Sequence, residues 1–410
     1  MNGSGTRLLE EYPTMTASPD SLLAPTAQKV WAGGWAVPMQ RPSVGFEPNW
    51  SEEGFSDHSL RQVVRVTADG DALRLRLSNR YGAAPLVVRG ASVGLRADGA
   101  GVRAGSSHRA TFSSARSVTV PPGAEVLSDP VPLPVARFDS VIVTMHLPET
   151  TGPATTHLQA YATSYRAVGD RLDDVAGTHF VDTTHSWYYL TGVEVLGDHA
   201  ASVVAFGDSI TDGYGSVNDA DNRYPDLLAD RLAAAGTPRP VLNAGIGGNM
   251  LLSDSAWFGE RALSRFDRDV LSLPGVGSVI LFGGLNDFGF SEIDLPTYKP
   301  NPCRTVEELI GAVESLAGRA RTRGIRVVAA TLLPMKGAEY YTERSAEKIR
   351  RFNDWVRTSD AADSVADFHR AVADPGDPER LDPRFDSGDH KHPNPAGYRA
   401  MADAVDLSGL

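Results

Sequence analysis

Apolar and polar residues alternate with a period of two through much of the first half of the chain. Gln62-Val63-Val64-Arg65-Val66-Thr67 and Ala72-Leu73-Arg74-Leu75-Arg76-Leu77-Ser78-Asn79 follow the pattern of half-buried strands. Asp69-Gly70 between them predicts a hairpin. Further strands are expected over residues 85–95, 117–120, 140–147 and 157–165, separated by turns rich in Pro, Gly and Asp. No helical period interrupts them, so residues 29–197 are expected to form an all-β sandwich or jelly roll. Residues 1–28, with a Ser/Thr/Pro-rich stretch, are expected to be a flexible arm.

After about Asp198 the period changes. Val203-Val204-Ala205-Phe206 reads as a buried strand. Residues 224–235 then place Leu227, Leu228 and Leu232 on one helical face, with Gly236 as the stop. Val241-Leu242-Asn243 and residues 278–282 are the next strands. Thr305-Val306-Glu307-Glu308 is a capping box that opens a helix ending near Gly324, with Val306, Leu309, Ile310, Val313 and Leu316 on its inner face. Strands follow at 325–331 and 364–368, and Asn394-Pro395 starts a last helix. Alternating strands and helices predict a parallel sheet covered on both faces, an α/β region over 198–410.

Composition narrows the function. The chain has 410 residues and a formal net charge of −12, which argues against nonspecific contact with nucleic acid or an anionic membrane. No apolar run reaches the roughly 20 residues needed to span a bilayer. The N-terminal stretch lacks the apolar core of a secretory signal, so the expected compartment is the cytoplasm; a leader removed beforehand would make the protein secreted. One cysteine, Cys303, excludes an internal disulfide and has no histidine near it in sequence.

Four short blocks in the second half carry candidate chemistry: Gly207-Asp208-Ser209-Ile210-Thr211, Asn243-Ala244-Gly245-Ile246-Gly247-Gly248-Asn249, Phe282-Gly283-Gly284-Leu285-Asn286-Asp287 and Asp389-His390-Lys391-His392-Pro393. Each lies at or after a strand's expected C-terminal end, where ligands bind in α/β folds. A serine hydroxyl needs a base to become a nucleophile, an imidazole suits that role near neutrality, and a carboxylate orients the imidazole. Preorganised donors must then meet the developing oxyanion. The Ser209 and Gly248 backbone N–H groups with the Asn286 amide are candidates. Taken singly, Asp208 and Ser209 could cap a helix, the glycine block could be a plain loop, and Asn286-Asp287 an ordinary turn, with Asp287 structural. Asp208, Asp389, His390 and His392 could instead suggest a metal site. That reading gives Gly248 and Asn286 no role, so neither metal nor cofactor is expected. His58, His108, His146, His157, His179, His185, His199 and His369 have no partnered motif and read as surface or satisfied core.

Together the four blocks, in this order and spacing, resemble the signature blocks of the SGNH (GDSL) hydrolases over roughly residues 200–410. The resemblance implies a flavodoxin-like three-layer α/β/α fold and acyl-ester chemistry. It assigns Ser209 as nucleophile, His392, immediately before proline, as base, and Asp389 as its orienting acid. Gly248 and Asn286 would join the Ser209 amide as oxyanion donors. Thr211 departs from the Gly-x-Ser-x-Gly elbow of the α/β-hydrolases. The β-rich front half is similar in architecture to that of two-domain esterases and of an acyltransferase in the family. The expected function is therefore a serine esterase acting on a small-molecule or carbohydrate ester. An acyltransferase is the alternative, and a non-catalytic carbohydrate-binding protein the alternative of another class. Aromatics at Trp257, Phe258, Phe288, Phe290, Tyr298, Tyr340 and Tyr341 lie on the expected site side, as loop packing or as a substrate pocket. Trp31, Trp35 and Trp50 in the front half read as mostly buried core, with sugar stacking as the other use. Nothing in the sequence fixes an oligomeric state.

Overall fold

The computed structural model describes residues 1–3 and 29–410. Apart from its first three residues, the arm expected over 1–28 lies outside the described residues. Residues 30–197 are strand-rich, with a four-stranded sheet, a six-stranded sheet and two short two-stranded ones. The two large sheets share an apolar core that includes Leu60, Leu73, Leu75, Val143 and Val193. Trp35 and Trp50 are buried in it.

Three expectations fail here, for one physical reason. Strand His58–Arg65 lies inside the six-stranded sheet, between Ser164–Val168 and Ser140–Leu147. It is apolar on both faces: Leu60 and Val64 face the shared core, while Val63 packs with Ile142, Tyr165 and Phe180 on the other side. The chain then crosses to the four-stranded sheet, where Ala72–Ser78 pairs with Leu190–Gly197. Asp69-Gly70 is thus a corner between sheets and no hairpin; Gly70 N–H donates to Val135 O and Asp71 N–H to Leu196 O. Residues 85–95 likewise divide into Leu86–Val88 and Gly90–Leu95, in different sheets. Residues 157–165 divide into Thr156–His157 and Ser164–Val168, with a loop between them. A period of two marks a strand but does not reveal which sheet it joins.

The second half has its own core, built on a five-stranded parallel sheet in the spatial order Val241–Gly245, Ser202–Gly207, Val276–Leu281, Arg326–Ala330, Ser364–Ala366. In chain order this is 2-1-3-4-5, the flavodoxin-like order with its switch point beside the first strand. Helices Tyr224–Ala234, Phe368–Val372 and Pro395–Ala404 pack together, and helices Ala262–Phe266, Val306–Arg321 and Glu343–Thr358 form a second group. The Thr305 capping box is present, its side chain accepting from Glu308 N–H while Glu308 accepts from Thr305 N–H. Glu343–Thr358 was not expected from sequence, although Ala346, Ile349, Phe352 and Val356 are buried along one face of it. Its capping box uses Ser345 in place of an acid.

The halves touch directly. Thr67 Oγ1 donates to Val241 O and accepts from Val241 N–H, at 2.9 and 3.0 Å. Strand Val30–Ala36 lies close to Val241–Gly245: a Cβ on Gly33 would stand 2.6 Å from Leu242 Cδ1, so a larger residue there would require the leucine side chain to move.

Behind the edge of the parallel sheet, the fully buried Arg265 donates to Gly207 O, Ala244 O and Asn249 Oδ1 at 2.7 to 2.9 Å, and pairs with Asp269 at 3.1 Å. One guanidinium thus ties together the ends of two strands and the loop beyond the second. Arg265→Ala removes three buried donations and one of the two cationic partners of Asp269, which keeps Arg268, so the expected cost is about 1–3 kcal/mol, that of buried acceptors losing a donor. Urea unfolding of the variant should show that loss through a lower midpoint at unchanged slope.

Candidate active site

Ser209 opens a one-turn helix, Ser209–Asp212, directly after strand Ser202–Gly207. Asp208 caps that turn, accepting from Ile210 N–H at 3.0 Å. This leaves the Ser209 N–H and hydroxyl at the strand's C-terminal edge. The hydroxyl Oγ lies 2.7 Å from His392 Nε2, and His392 Nδ1 lies 2.6 Å from Asp389 Oδ2. Asp389 Oδ1 also accepts from the His392 and Lys391 backbone N–H groups, at 2.9 and 3.2 Å, so one loop carries acid and imidazole as a unit. Asn394 N–H donating to Phe385 O and Ser387 N–H donating to His392 O brace this loop, and Asn394 caps the helix that follows.

Burial is the largest influence on His392 and lowers its pKa below 6.5; the bond and charge of Asp389 oppose it. The imidazole is thus neutral at pH 7 and can accept a proton. Burial alone would raise the Asp389 carboxyl, but His392 and the loop N–H groups hold it well below the usual carboxylate range. His390 points elsewhere, with Nδ1 2.7 Å from Asp386 Oδ2 and its side chain half exposed. Asp208 and His390, weighed beside Asp389 and His392 as possible ligands, are therefore engaged apart from them.

The neighbouring strands deliver the other two residues. Gly248 follows Val241–Gly245, and Asn286 sits in the short helix Leu285–Gly289 after Val276–Leu281. Gly248 has φ +70°, and a Cβ there would fall 2.2 Å from Phe258 Cδ1, so both conformation and space demand glycine. The Asn286 amide donates one N–H to Asn249 O at 2.9 Å, which leaves its second for the cavity it lines. Asp287 accepts from the Leu251 and Leu252 N–H groups at 2.8 and 3.0 Å, which joins these two loops; burial pushes its carboxyl up to about 6. Ser209, Gly248, Asn286 and His392 all line one cavity of about 220 Å³. Phe258, Phe290, Tyr298 and Tyr340 give it an aromatic wall, with Phe290 and Tyr298 stacked at 4.3 Å. Phe288 is core, and Tyr341 donates to Glu379, so those two aromatics serve packing and a surface bond.

A carbohydrate-binding-like or substrate-shaping role was open to the front half, but sequence reasoning did not single out the residues it brings to the site. Phe46 and Gln159 line the same cavity. With Glu47 and His185 they also form one side of a polar cavity of about 550 Å³ that shares Tyr214 and Asp389 with the first. Tyr214 itself packs on the His392 ring at 4.3 Å. His157, read as surface or satisfied core, is buried and lies 2.9 Å from Asp212, three residues after Ser209. No local motif marks these residues, because their partners lie in the other half of the chain.

Residues 205–400 match the family model described as GDSL-like lipase/acylhydrolase. The chain carries a GDSL-like acylhydrolase domain and is a hydrolase acting on esters. Among solved structures, this domain is similar to a G-D-S-L family lipolytic protein from Desulfitobacterium hafniense at 24% identity and TM-score 0.38, over 50% of this chain and 97% of that one. It is also similar to the acetyl xylan esterase AlAXEase at 23% identity and TM-score 0.39, over 50% and 96%. The acetylxylan esterase Axe2 from Geobacillus stearothermophilus gives 20% identity and TM-score 0.39, over 50% and 92%. A search of curated protein sequences finds no relative. No helix among the described residues is long and apolar enough to cross a membrane.

Within the acylhydrolase domain, the fully buried Asp208 carboxyl is pushed up to about 7, chiefly by burial and further by nearby Asp287. Its Oδ2 has no hydrogen-bond partner among the described residues. A carboxyl whose folded pKa exceeds its unfolded value loses stability as pH rises through the folded value. Asp208→Asn keeps the cap acceptor without that charge. It should raise the melting temperature more at pH 9 than at pH 5, because the loss builds from the unfolded carboxyl's pKa up to the folded one; equal shifts at both pH values would contradict the charge argument.

Proposed function

We propose that the protein cleaves carboxylic esters through a covalent acyl-enzyme on Ser209. The observation that carries this reading is the bonded series Ser209 Oγ, His392 Nε2, His392 Nδ1, Asp389 Oδ2, at 2.7 and 2.6 Å. Ser209 Oγ attacks the ester carbonyl carbon as His392 Nε2 takes the hydroxyl proton. The carbonyl oxygen becomes an oxyanion and meets the N–H groups of Ser209, Gly248 and Asn286. The carbon–oxygen bond to the alcohol then breaks, and His392 returns its proton to the departing alkoxide. Water, deprotonated by His392, attacks the acyl-enzyme in the same manner and frees the acid and Ser209.

The chain divides for this work at residue 198. Residues 29–197, with their own core, form a sandwich-like domain that shapes the substrate site, and residues 198–410 form the catalytic domain. The aromatic cavity suits the acyl group. The polar cavity between the halves suits the alcohol, that of a small molecule or a carbohydrate. Because that cavity has room for a hydroxyl-bearing acceptor beside Asp389, acyl transfer to an alcohol is the second reading. Product analysis with an acyl donor plus candidate alcohols separates the two: free acid means hydrolysis, and a new ester means transfer.

On a short-chain activated ester, Ser209→Ala and His392→Ala should each lower kcat by about 10⁴ or more, since such residues act as a unit. Retained folding is checked by circular dichroism, and near-wild-type turnover in either variant would reject the assignment. Since burial lowers the His392 pKa, activity should be retained as pH falls through 6.5 and be lost only at a lower pH, as Nε2 becomes protonated. A kcat/KM limb above pH 6.5 would contradict a neutral, buried base.

A further inference from the structure

His157 comes from the front half of the chain and is completely buried. Its Nδ1 lies 2.9 Å from Pro38 O, and its Nε2 lies 2.9 Å from Asp212 Oδ1. Both neighbours are acceptors. The carbonyl requires a proton on Nδ1, and the carboxylate contact requires another between Nε2 and Oδ1. Without it, two lone pairs would face each other in the interior, where an unmet polar contact is expensive.

The far side of Asp212 leads to the reacting groups. Its Oδ2 accepts from Gly247 N–H at 2.9 Å. Asp212 closes the turn that Ser209 opens, and Gly247 immediately precedes Gly248. Turn and loop are in close contact here: a Cβ on Gly245 would lie 2.2 Å from Asp212 N. From the front half, Gln159 presses on the same loop, since a Cβ on Gly247 would lie 1.8 Å from Gln159 Oε1. The charged and titratable groups around the pair are Arg223 and Arg265, whose guanidiniums feel the Asp212 carboxylate, and the hydroxyls of Tyr161 and Tyr398. Trp187 covers the His157 ring at 5.8 Å.

We infer that His157 is a positioning residue: by holding Asp212, it fixes the Gly247–Gly248 loop relative to Ser209 and aims the Gly248 N–H at the oxyanion. The inference rests on the proposed roles of Ser209 and Gly248. It gives the front half a part in the chemical step beyond lining the substrate cavity. A donor displaced by a fraction of an ångström loses most where charge develops, so the effect belongs to kcat and leaves KM nearly untouched.

The test uses the full chain and a short-chain activated ester, with steady-state kinetics and melting temperatures for His157→Ala, Asp212→Ala, Asp212→Asn and the Ser209→Ala control. His157→Ala and Asp212→Ala should each lower kcat about 10- to 100-fold, part of the loss seen when an oxyanion donor is removed outright, with KM within about twofold of wild type. Asp212→Asn should keep at least about half of kcat. Its amide can still accept from Gly247 N–H while donating to Nε2 of a neutral ring that keeps its proton on Nδ1. Wild-type kcat in His157→Ala with only a lower melting temperature would overturn the inference, and so would a raised KM at unchanged kcat. Should His157→Ala fail to fold, the two Asp212 variants carry the same comparison, and equal kcat in both would overturn it. An active Ser209→Ala protein would instead sink the reading on which the inference depends.

Discussion

A serine on one side of the molecule has to meet a histidine 183 residues further along the chain, within 2.7 Å and with the right nitrogen facing it. Everything else in the second half can be read as satisfying that constraint. The parallel sheet delivers three strand ends side by side: Ser209 at the middle one, with the Gly248 and Asn286 loops on its two flanks. The loop before the last helix then brings Asp389 and His392 across as one hydrogen-bonded unit. Arg265 locks the strand ends from behind, and Asp287 ties the two flanking loops to each other. A site held on rigid strand ends has little freedom to lose on reaching the transition state.

The front half does more than sit beside this scaffold. It has a separate apolar core, yet it supplies the Pro38 carbonyl, His157, Gln159 and Phe46 to the surroundings of Ser209. The contrast between the cavities follows from this join. The smaller one is walled by aromatic rings of the second half, and the larger one lies between the halves and is lined by carboxylate, amide, imidazole and hydroxyl groups. Ser209 lines the smaller cavity, and the larger one shares Phe46, Gln159, Tyr214 and Asp389 with it.

Much of this was legible in the sequence because its signals are local. A buried strand ending in Gly-Asp-Ser, a Gly-Gly turn and an Asp-x-x-His loop each state their chemistry within a few residues, and the Thr305 capping box marks its helix correctly. Where the reading failed, the deciding interaction was remote. Asp69-Gly70 has hairpin composition, but the pairing of His58–Arg65 with strands far along the chain sends it into another sheet. The Glu343–Thr358 helix hid because its apolar positions are sparse among charges, and its cap uses serine where an acid marks the familiar box. His157, read as surface or satisfied core, is buried with both ring nitrogens engaged, but nothing local marks its contact with Asp212, 55 positions away across the join of the halves.

The central claim is that Ser209 is the group that becomes acylated. An alkyl fluorophosphonate tests it directly, because this reagent reacts with an activated serine and stays bound. Peptide mass spectrometry of the labelled full-length protein should find one phosphonyl group, on the peptide containing Ser209, with ester hydrolysis falling in step with labelling. Full activity in protein labelled to completion at Ser209, or inactivation that tracks a label on another residue, would contradict it.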